Sequence, residues 1–229
     1  CKMFRHNFQS IVFAVVVFGL VFFSHSDKPI GNNLTINNKI NSTSVGSLKT
    51  IAVNSGLIKN TFNPPSDLKA KAIVVKLLDS NYVNYSLNNS WRWPIASLTK
   101  LMTAVIALEK LDTSQKIIFN DKMIETEGIS GGFRAEESFV VNDLIKSLIA
   151  VSSNDAAVAL AETYGYQKFI DAMQIKANEL QMTQTTFFDP TGLSFLNQST
   201  ADDLEKLVKY VLEKHPQIFE FSRHPVIQI

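Results

Sequence analysis

Apolar residues recur at helical spacing through most of the C-terminal two thirds of the chain. Leu98, Leu101, Met102, Val105, Ile106 and Leu108 form one stripe, and Val141, Leu144, Ile145, Leu148 and Ile149 form another at i, i+3, i+4, i+7, i+8. This spacing predicts helices over 97–111, 141–151, 154–164, 166–180 and 200–214, the last capped by Ser199 or Thr200 through Asp202 or Asp203. Ahead of them, the run Ala72-Ile73-Val74-Val75-Lys76-Leu77-Leu78 and a second near Tyr82-Val83-Asn84-Tyr85 predict a hairpin. Val226-Ile227-Gln228-Ile229 has the look of a strand entry. Strands first and helices after indicate an α+β fold.

The N-terminal pattern differs. Lys2, Arg5 and His6 precede an uncharged apolar run over 11–23, thirteen residues long. A membrane-spanning helix needs about 20 apolar residues and a signal-peptide core about 7–15, so residues 1–26 are predicted to be a signal peptide or an N-terminal membrane anchor. Ser24-His25-Ser26 supplies small residues at cleavage spacing, though not Ala-x-Ala. Residues 27–66, rich in Asn, Ser and Thr without sustained period, read as a linker, and 67–229 as the globular domain. The expected location is extracytoplasmic, in the cell envelope, with the cytoplasmic membrane as a partner through the N-terminal segment.

Composition narrows the possible chemistry. Hydrophobic content of 45% and charged content of 19% suit one domain with appendages. A net charge of +1, without basic stretches interleaved with aromatics, gives no field for nucleic acid, so none is expected as a partner. Cys1 is the single cysteine, which rules out an intrachain disulfide, and His6, His25, His215 and His224 are scattered. No His, Cys, Asp and Glu grouping has metal-ligand spacing, so neither metal nor cofactor is expected.

Ser97 and Lys100 are one helical turn apart at the start of the first stripe, where residues i and i+3 share a face. A serine hydroxyl is a weak nucleophile until a base takes its proton, and a lysine can serve if burial lowers its pKa from about 10.4 toward 7. The bland alternative is a helix N-cap serine beside a solvated lysine. Ser66-Asp67-Leu68-Lys69 has the same spacing but no apolar stripe behind it. A second polar constellation, Ser152-Ser153-Asn154, falls between two helical patterns, where a hydroxyl and a carboxamide can relay a proton and hold a substrate amide. Its bland reading is a polar helix-helix turn capped by Asn154. Ser86-Leu87-Asn88 repeats the spacing at an expected hairpin end.

Four segments in order carry a family resemblance over about 71–229: Ala96-Ser97-Leu98-Thr99-Lys100-Leu101-Met102-Thr103-Ala104, Ser152-Ser153-Asn154 with Asp155-Ala156-Ala157, Asp189-Pro190-Thr191-Gly192-Leu193, and Ser199-Thr200-Ala201 with Asp203-Leu204. Together they resemble the serine-type D-alanyl-D-alanine carboxypeptidases, the low-molecular-weight penicillin-binding proteins of peptidase family S11. The resemblance implies a β-lactamase/transpeptidase-like fold, a helical cluster packed on an antiparallel sheet. It assigns Ser97 as acyl-ester nucleophile, Lys100 as its base, Ser152 as proton shuttle and Asn154 as substrate-binding residue. Peptidoglycan stem peptides are the implied substrate and β-lactam antibiotics the implied inhibitors.

The family's Lys-Thr-Gly motif is absent: Lys49-Thr50 is followed by Ile51, and Thr191-Gly192 is preceded by Pro190. It is expected after Ile229, on C-terminal strands missing from these residues. The chain starts at Cys1, with Met3 as the expected original start, so both ends are expected to continue. These 229 residues alone are therefore expected to be inactive. Two other functions compete. One is a class A-like β-lactamase, for which Glu179-Leu180-Gln181 offers a deacylating glutamate; the other is a non-catalytic, membrane-tethered wall-binding protein.

Overall fold

The computed structural model describes residues 3–5, 16–17, 69–76, 83–128, 131–223 and 226–229. The predicted linker lies outside the described residues, as does the apolar N-terminal segment apart from Val16–Val17, and so does Ser66. The elements run in the order β1 (Met3–Arg5), β2 (Val16–Val17), β3 (Ala72–Lys76), β4 (Val83–Leu87), β5 (Trp93–Pro94), α1 (Thr99–Lys110), β6 (Lys116–Ile118), α2 (Asp121–Ile124) and β7 (Ser138–Val140). There follow α3 (Val141–Ala150), α4 (Asn154–Tyr164), α5 (Tyr166–Glu179), β8 (Gln198–Ser199), α6 (Ala201–Lys214), α7 (Gln217–Phe221) and β9 (Val226–Gln228).

Among the described residues all the strand pairs are antiparallel, but they are divided among four small sheets, β1-β9, β2-β3-β4, β5-β8 and β6-β7. The predicted hairpin is β3 and β4, in register from Ile73 opposite Leu87, with a bulge between Val75 and Lys76. Asn88 ends it in the left-handed region (φ 46°) and donates to the Lys71 carbonyl, so Ser86-Leu87-Asn88 is a strand end. Among the described residues no helix is long and apolar enough to cross a membrane.

The core centres on α1. Every residue from Thr99 to Ala107 is buried, and α3, α4, α5 and α6 pack around it. A helix enclosed on all sides cannot be amphipathic, and Met102, Ala104, Val105, Ile106 and Ala107 are fully inaccessible. α4 buries small residues in this core, Ala156, Ala157, Ala159 and Ala161. α6 shows the opposite pattern, burying Leu204, Leu207 and Val211 on one face. Its cap forms as expected, with the Thr200 side chain accepting from Asp203 N–H. Buried Asp203 in turn accepts from Gln184 N–H and Thr185 Oγ1, which ties the start of α6 to the chain entering the 187–197 segment. That segment lies against the start of α1.

Candidate active site

Ser97 sits in a 3₁₀ turn, Ala96–Leu98, immediately before α1 rather than in its first α-turn. Ala96 enters the turn at φ 45°, a left-handed conformation that costs a non-glycine residue about 1–3 kcal/mol and persists only where surrounding structure enforces it. Gly192 supplies part of that enforcement. A Cβ on Gly192 would lie 2.0 Å from the Ala96 carbonyl oxygen and 3.1 Å from Ser97 N, so the loop backbone can press against the turn only without a side chain.

Neither arm of the bland reading survives. No side chain caps this helix start, so Ser97 is not an N-cap, and Lys100 is only 3% exposed rather than solvated. The Lys100 amine lies 3.3 Å from Ser97 Oγ and donates to the Thr191 carbonyl at 2.7 Å. Burial lowers its pKa from 10.5 to about 8, with the Asp189 carboxylate opposing the fall. The direction is the one expected of a base, although the amine stops short of 7. About a tenth of a lysine with this pKa is neutral at pH 7.

The Thr191 carbonyl belongs to a loop built around one carboxylate. Asp189 Oδ1 accepts from Thr191 N–H at 2.7 Å, Gly192 N–H at 2.7 Å and Thr191 Oγ1 at 2.5 Å, while Oδ2 accepts from Ser194 N–H at 2.8 Å. Asn197, fully buried, closes the base of the loop. Its Oδ1 accepts from Phe188 N–H and Asp189 N–H, and its Nδ2 donates to the Asp189 carbonyl at 3.0 Å and to Thr99 Oγ1 at 3.2 Å. The Asn197 carbonyl accepts from Ile95 N–H, and Thr103 Oγ1 donates to the Pro190 carbonyl at 2.6 Å. Both ends of the loop are thereby fixed to the helix that carries Lys100.

Ser152 and Asn154 come from the turn between α3 and α4. Ser152 is at φ 57°, and its Oγ is buried with no hydrogen-bond partner, a costly arrangement for a hydroxyl. Ser153, not Asn154, caps α4, its Oγ accepting from Ala156 N–H at 3.0 Å and meeting Asp155 in a short contact. Asp155 accepts from Gly131 N–H, and Asn154 Nδ2 donates to the Glu127 carbonyl at 2.7 Å. A Cβ on Gly128 (φ 89°) would lie 2.6 Å from Asn154 Nδ2 and 3.5 Å from Leu193.

Ser97 and Lys100 are thus in direct contact, and Gly192 of the Asp189 loop presses against the turn that carries Ser97. Among the described residues no hydrogen bond joins Ser152 or Asn154 to Ser97 or Lys100. Sequence reading assigned no role to Asp189, Gly192 or Asn197. The first two were marked as part of the resemblance segment Asp189-Pro190-Thr191-Gly192-Leu193 and by its turn signal, without a role, and nothing local marked Asn197. Glu179 ion-pairs with Lys176 at 2.8 Å with its side chain 56% exposed, a surface position at the end of α5. Among the described residues no group of three His, Cys, Asp or Glu side chains could hold a metal.

The model of family S11, D-alanyl-D-alanine carboxypeptidase, matches residues 58–229. The chain is 36% identical over 167 residues to the D-alanyl-D-alanine endopeptidase of Escherichia coli (strain K12), a match spanning 71% of this chain and 53% of that protein. It is 34% identical over 163 residues to the D-alanyl-D-alanine carboxypeptidase DacF of Bacillus subtilis (strain 168), spanning 67% of this chain and 41% of that one. The crystal structure of D-alanyl-D-alanine carboxypeptidase from Mycobacterium tuberculosis H37Rv matches with a TM-score of 0.66 at 28% identity, covering 71% of this chain and 63% of that chain. Penicillin-binding protein D2 from Listeria monocytogenes, in its cefotaxime-bound form, matches with a TM-score of 0.64 at 28% identity, covering 73% and 71%. The fold is therefore the penicillin-binding, transpeptidase-like one, and the chain spans about half the length of the curated relatives it matches.

Proposed function

The chain belongs to the S11 family of D-alanyl-D-alanine carboxypeptidases, and on that footing we propose that the protein hydrolyses the terminal D-Ala-D-Ala bond of peptidoglycan stem peptides through an acyl-enzyme on Ser97. The reading rests above all on the Lys100 amine, buried 3.3 Å from the Ser97 hydroxyl and brought down to about 8. Neutral Lys100 takes the hydroxyl proton as Ser97 Oγ attacks the penultimate carbonyl carbon, giving a tetrahedral oxyanion. Collapse breaks the peptide C–N bond, and a proton passed through Ser152 leaves with the amine of D-alanine. Water then attacks the ester, a proton returns to Ser97, and the shortened peptide departs. Asn154 holds the substrate amide alongside. Metal and cofactor play no part in this scheme.

The E. coli relative's description as an endopeptidase supports a second reading, cleavage of a cross-link ending on D-alanine. The acyl half of the reaction is the same, and only the leaving amine differs. Assay of free D-alanine against a released peptide amine distinguishes them. The surface position and Lys176 pairing of Glu179 count against a β-lactamase, which needs a water-activating glutamate beside the ester. In the proposed organisation residues 1–26 export or anchor the protein, 27–66 form the tether, and 67–229 work at the outer face of the cytoplasmic membrane. N-terminal sequencing of protein from the envelope fraction checks the first point, since an intact terminus means anchorage and a new one near Ser26 means cleavage.

The decisive experiment is mass spectrometry of the full-length protein after reaction with penicillin. The adduct is expected on Ser97. An adduct on Ser66 or Ser152, or undiminished labelling of Ser97→Ala, would overturn the assignment.

A further inference from the structure

The Lys100 amine has one partner that no nucleophile-base scheme requires, the Thr191 carbonyl at 2.7 Å, a shorter contact than the one to Ser97. A neutral amine has two N–H bonds and one lone pair. To accept the Ser97 proton it must direct the lone pair at Oγ, and an N–H pinned to a fixed carbonyl restricts the rotation that would otherwise scramble that direction. The carbonyl is fixed only as well as its loop. Five donors converge on the Asp189 carboxylate: Thr191 N–H, Thr191 Oγ1, Gly192 N–H, Ser194 N–H and Asn197 Nδ2 at 3.2 Å. Asn197 then ties this carboxylate and both flanking backbone segments to Thr99, the residue next to Lys100.

We infer that Asp189 and Asn197 are positioning residues of the acyl-transfer reaction, holding the Thr191 carbonyl where it aims the Lys100 lone pair at Ser97. This inference rests on the Ser97–Lys100 reading above. Asp189 does two opposed things. Its hydrogen bonds build the loop, while its charge favours the protonated amine and works against the desolvation that makes Lys100 basic at lower pH. Two other ionisable groups lie on the helices around the site. Tyr166 on α5 is pushed up by burial, by Asp189 and by Glu162, so it stays a neutral phenol, and Asp155 on α4 is held by Gly131 N–H and Ser153.

The test measures the second-order rate constant for penicillin acylation between pH 5 and 10 in full-length wild type, Asp189→Asn and Asn197→Ala. That constant is a property of the folded, reactive fraction alone, so variants that fold poorly lose amplitude without changing it. Asp189→Asn should move the midpoint of the rise about one pH unit lower, because a charge that favours the protonated lysine is gone, and should lower the plateau about tenfold as the loop loosens. Asn197→Ala should leave the midpoint in place and lower the plateau by a similar factor. Wild-type midpoint and plateau in both variants, with only amplitude lost, would show that the loop is merely structural and would overturn the inference. If wild type itself is not labelled on Ser97, the parent reading has failed instead.

Discussion

Two lysines in this molecule, Lys100 buried and Lys176 half-buried, have been pushed in opposite directions. Lys100 meets a hydroxyl and a carbonyl, neither of which carries charge, and burial brings it down to about 8. Lys176 on α5 also suffers burial, but it lies 2.8 Å from Glu179, 3.0 Å from Glu109 and 3.4 Å from the Tyr210 hydroxyl, and together they raise it above the ordinary lysine value. Burial alone therefore does not make a base. A half-buried ammonium in contact with carboxylates becomes a strut between helices, whereas a buried one whose direct contacts are dipoles is poised to lose its proton. The negative charge that acts on Lys100, that of Asp189, is itself occupied by backbone N–H groups.

The largest effect that could break this contrast is on rate. Lys100→Arg keeps a cation but cannot release its proton, so acylation should fall by about 10²–10⁴, the usual worth of a positioned base. Lys176→Arg should leave the acylation rate within about twofold. Stopped-flow measurement with a chromogenic β-lactam decides both, and near-wild-type acylation by Lys100→Arg would remove Lys100 from the role.

Ser152→Ala comes next. Its hydroxyl is buried without a partner, so truncation should leave stability unchanged or raise it by about 1 kcal/mol while acyl transfer falls by about 10². Thermal unfolding alongside the rate measurement checks this. A clear loss of stability would mean that the hydroxyl has a structural partner and is not waiting for substrate.

Stability should separate the two lysines with opposite signs. A folded pKa of about 8 against 10.5 unfolded costs the native state about 3 kcal/mol below pH 8, a cost that fades as pH rises from 8 to 10.5. Lys100→Met removes that penalty but strands the Thr191 carbonyl, so the net at pH 7 should lie between no change and a gain of about 2 kcal/mol. Lys176 has a raised folded pKa, so its contribution is present below 10.5 and lost above it. Lys176→Met should cost about 1–3 kcal/mol at pH 7, between an exposed and a fully buried pair. Urea unfolding at pH 7 and 10 measures both, and a loss for each variant would erase the distinction.

The helices around this site were legible before the structure, and the reason is local periodicity. Helices read at 141–151, 154–164 and 166–180 are observed at Val141–Ala150, Asn154–Tyr164 and Tyr166–Glu179, because an apolar stripe reports burial directly. The i, i+3 spacing likewise fixed which face Lys100 shares with Ser97. What spacing could not report was tertiary. The two-residue pair β5-β8 has no period to detect, and α2 and α7 are each shorter than two helical turns. Ala96 and Ser152 adopt φ above zero without being glycine or asparagine, a strain set by neighbours far away in sequence. Asn197 reaches Thr99 across a separation of 98 residues, and no pattern around either residue foretells the contact.

The most direct test of the central claim is the pH dependence of Ser97 acylation in the full-length wild-type protein. With Lys100 as base at a pKa of about 8, the second-order rate constant should climb about tenfold per pH unit from pH 5 and level off just above pH 8. A rate constant that is flat from pH 5 to 9, or one that levels off near pH 6, would contradict the account, since no lysine in the state described here could then be taking the proton.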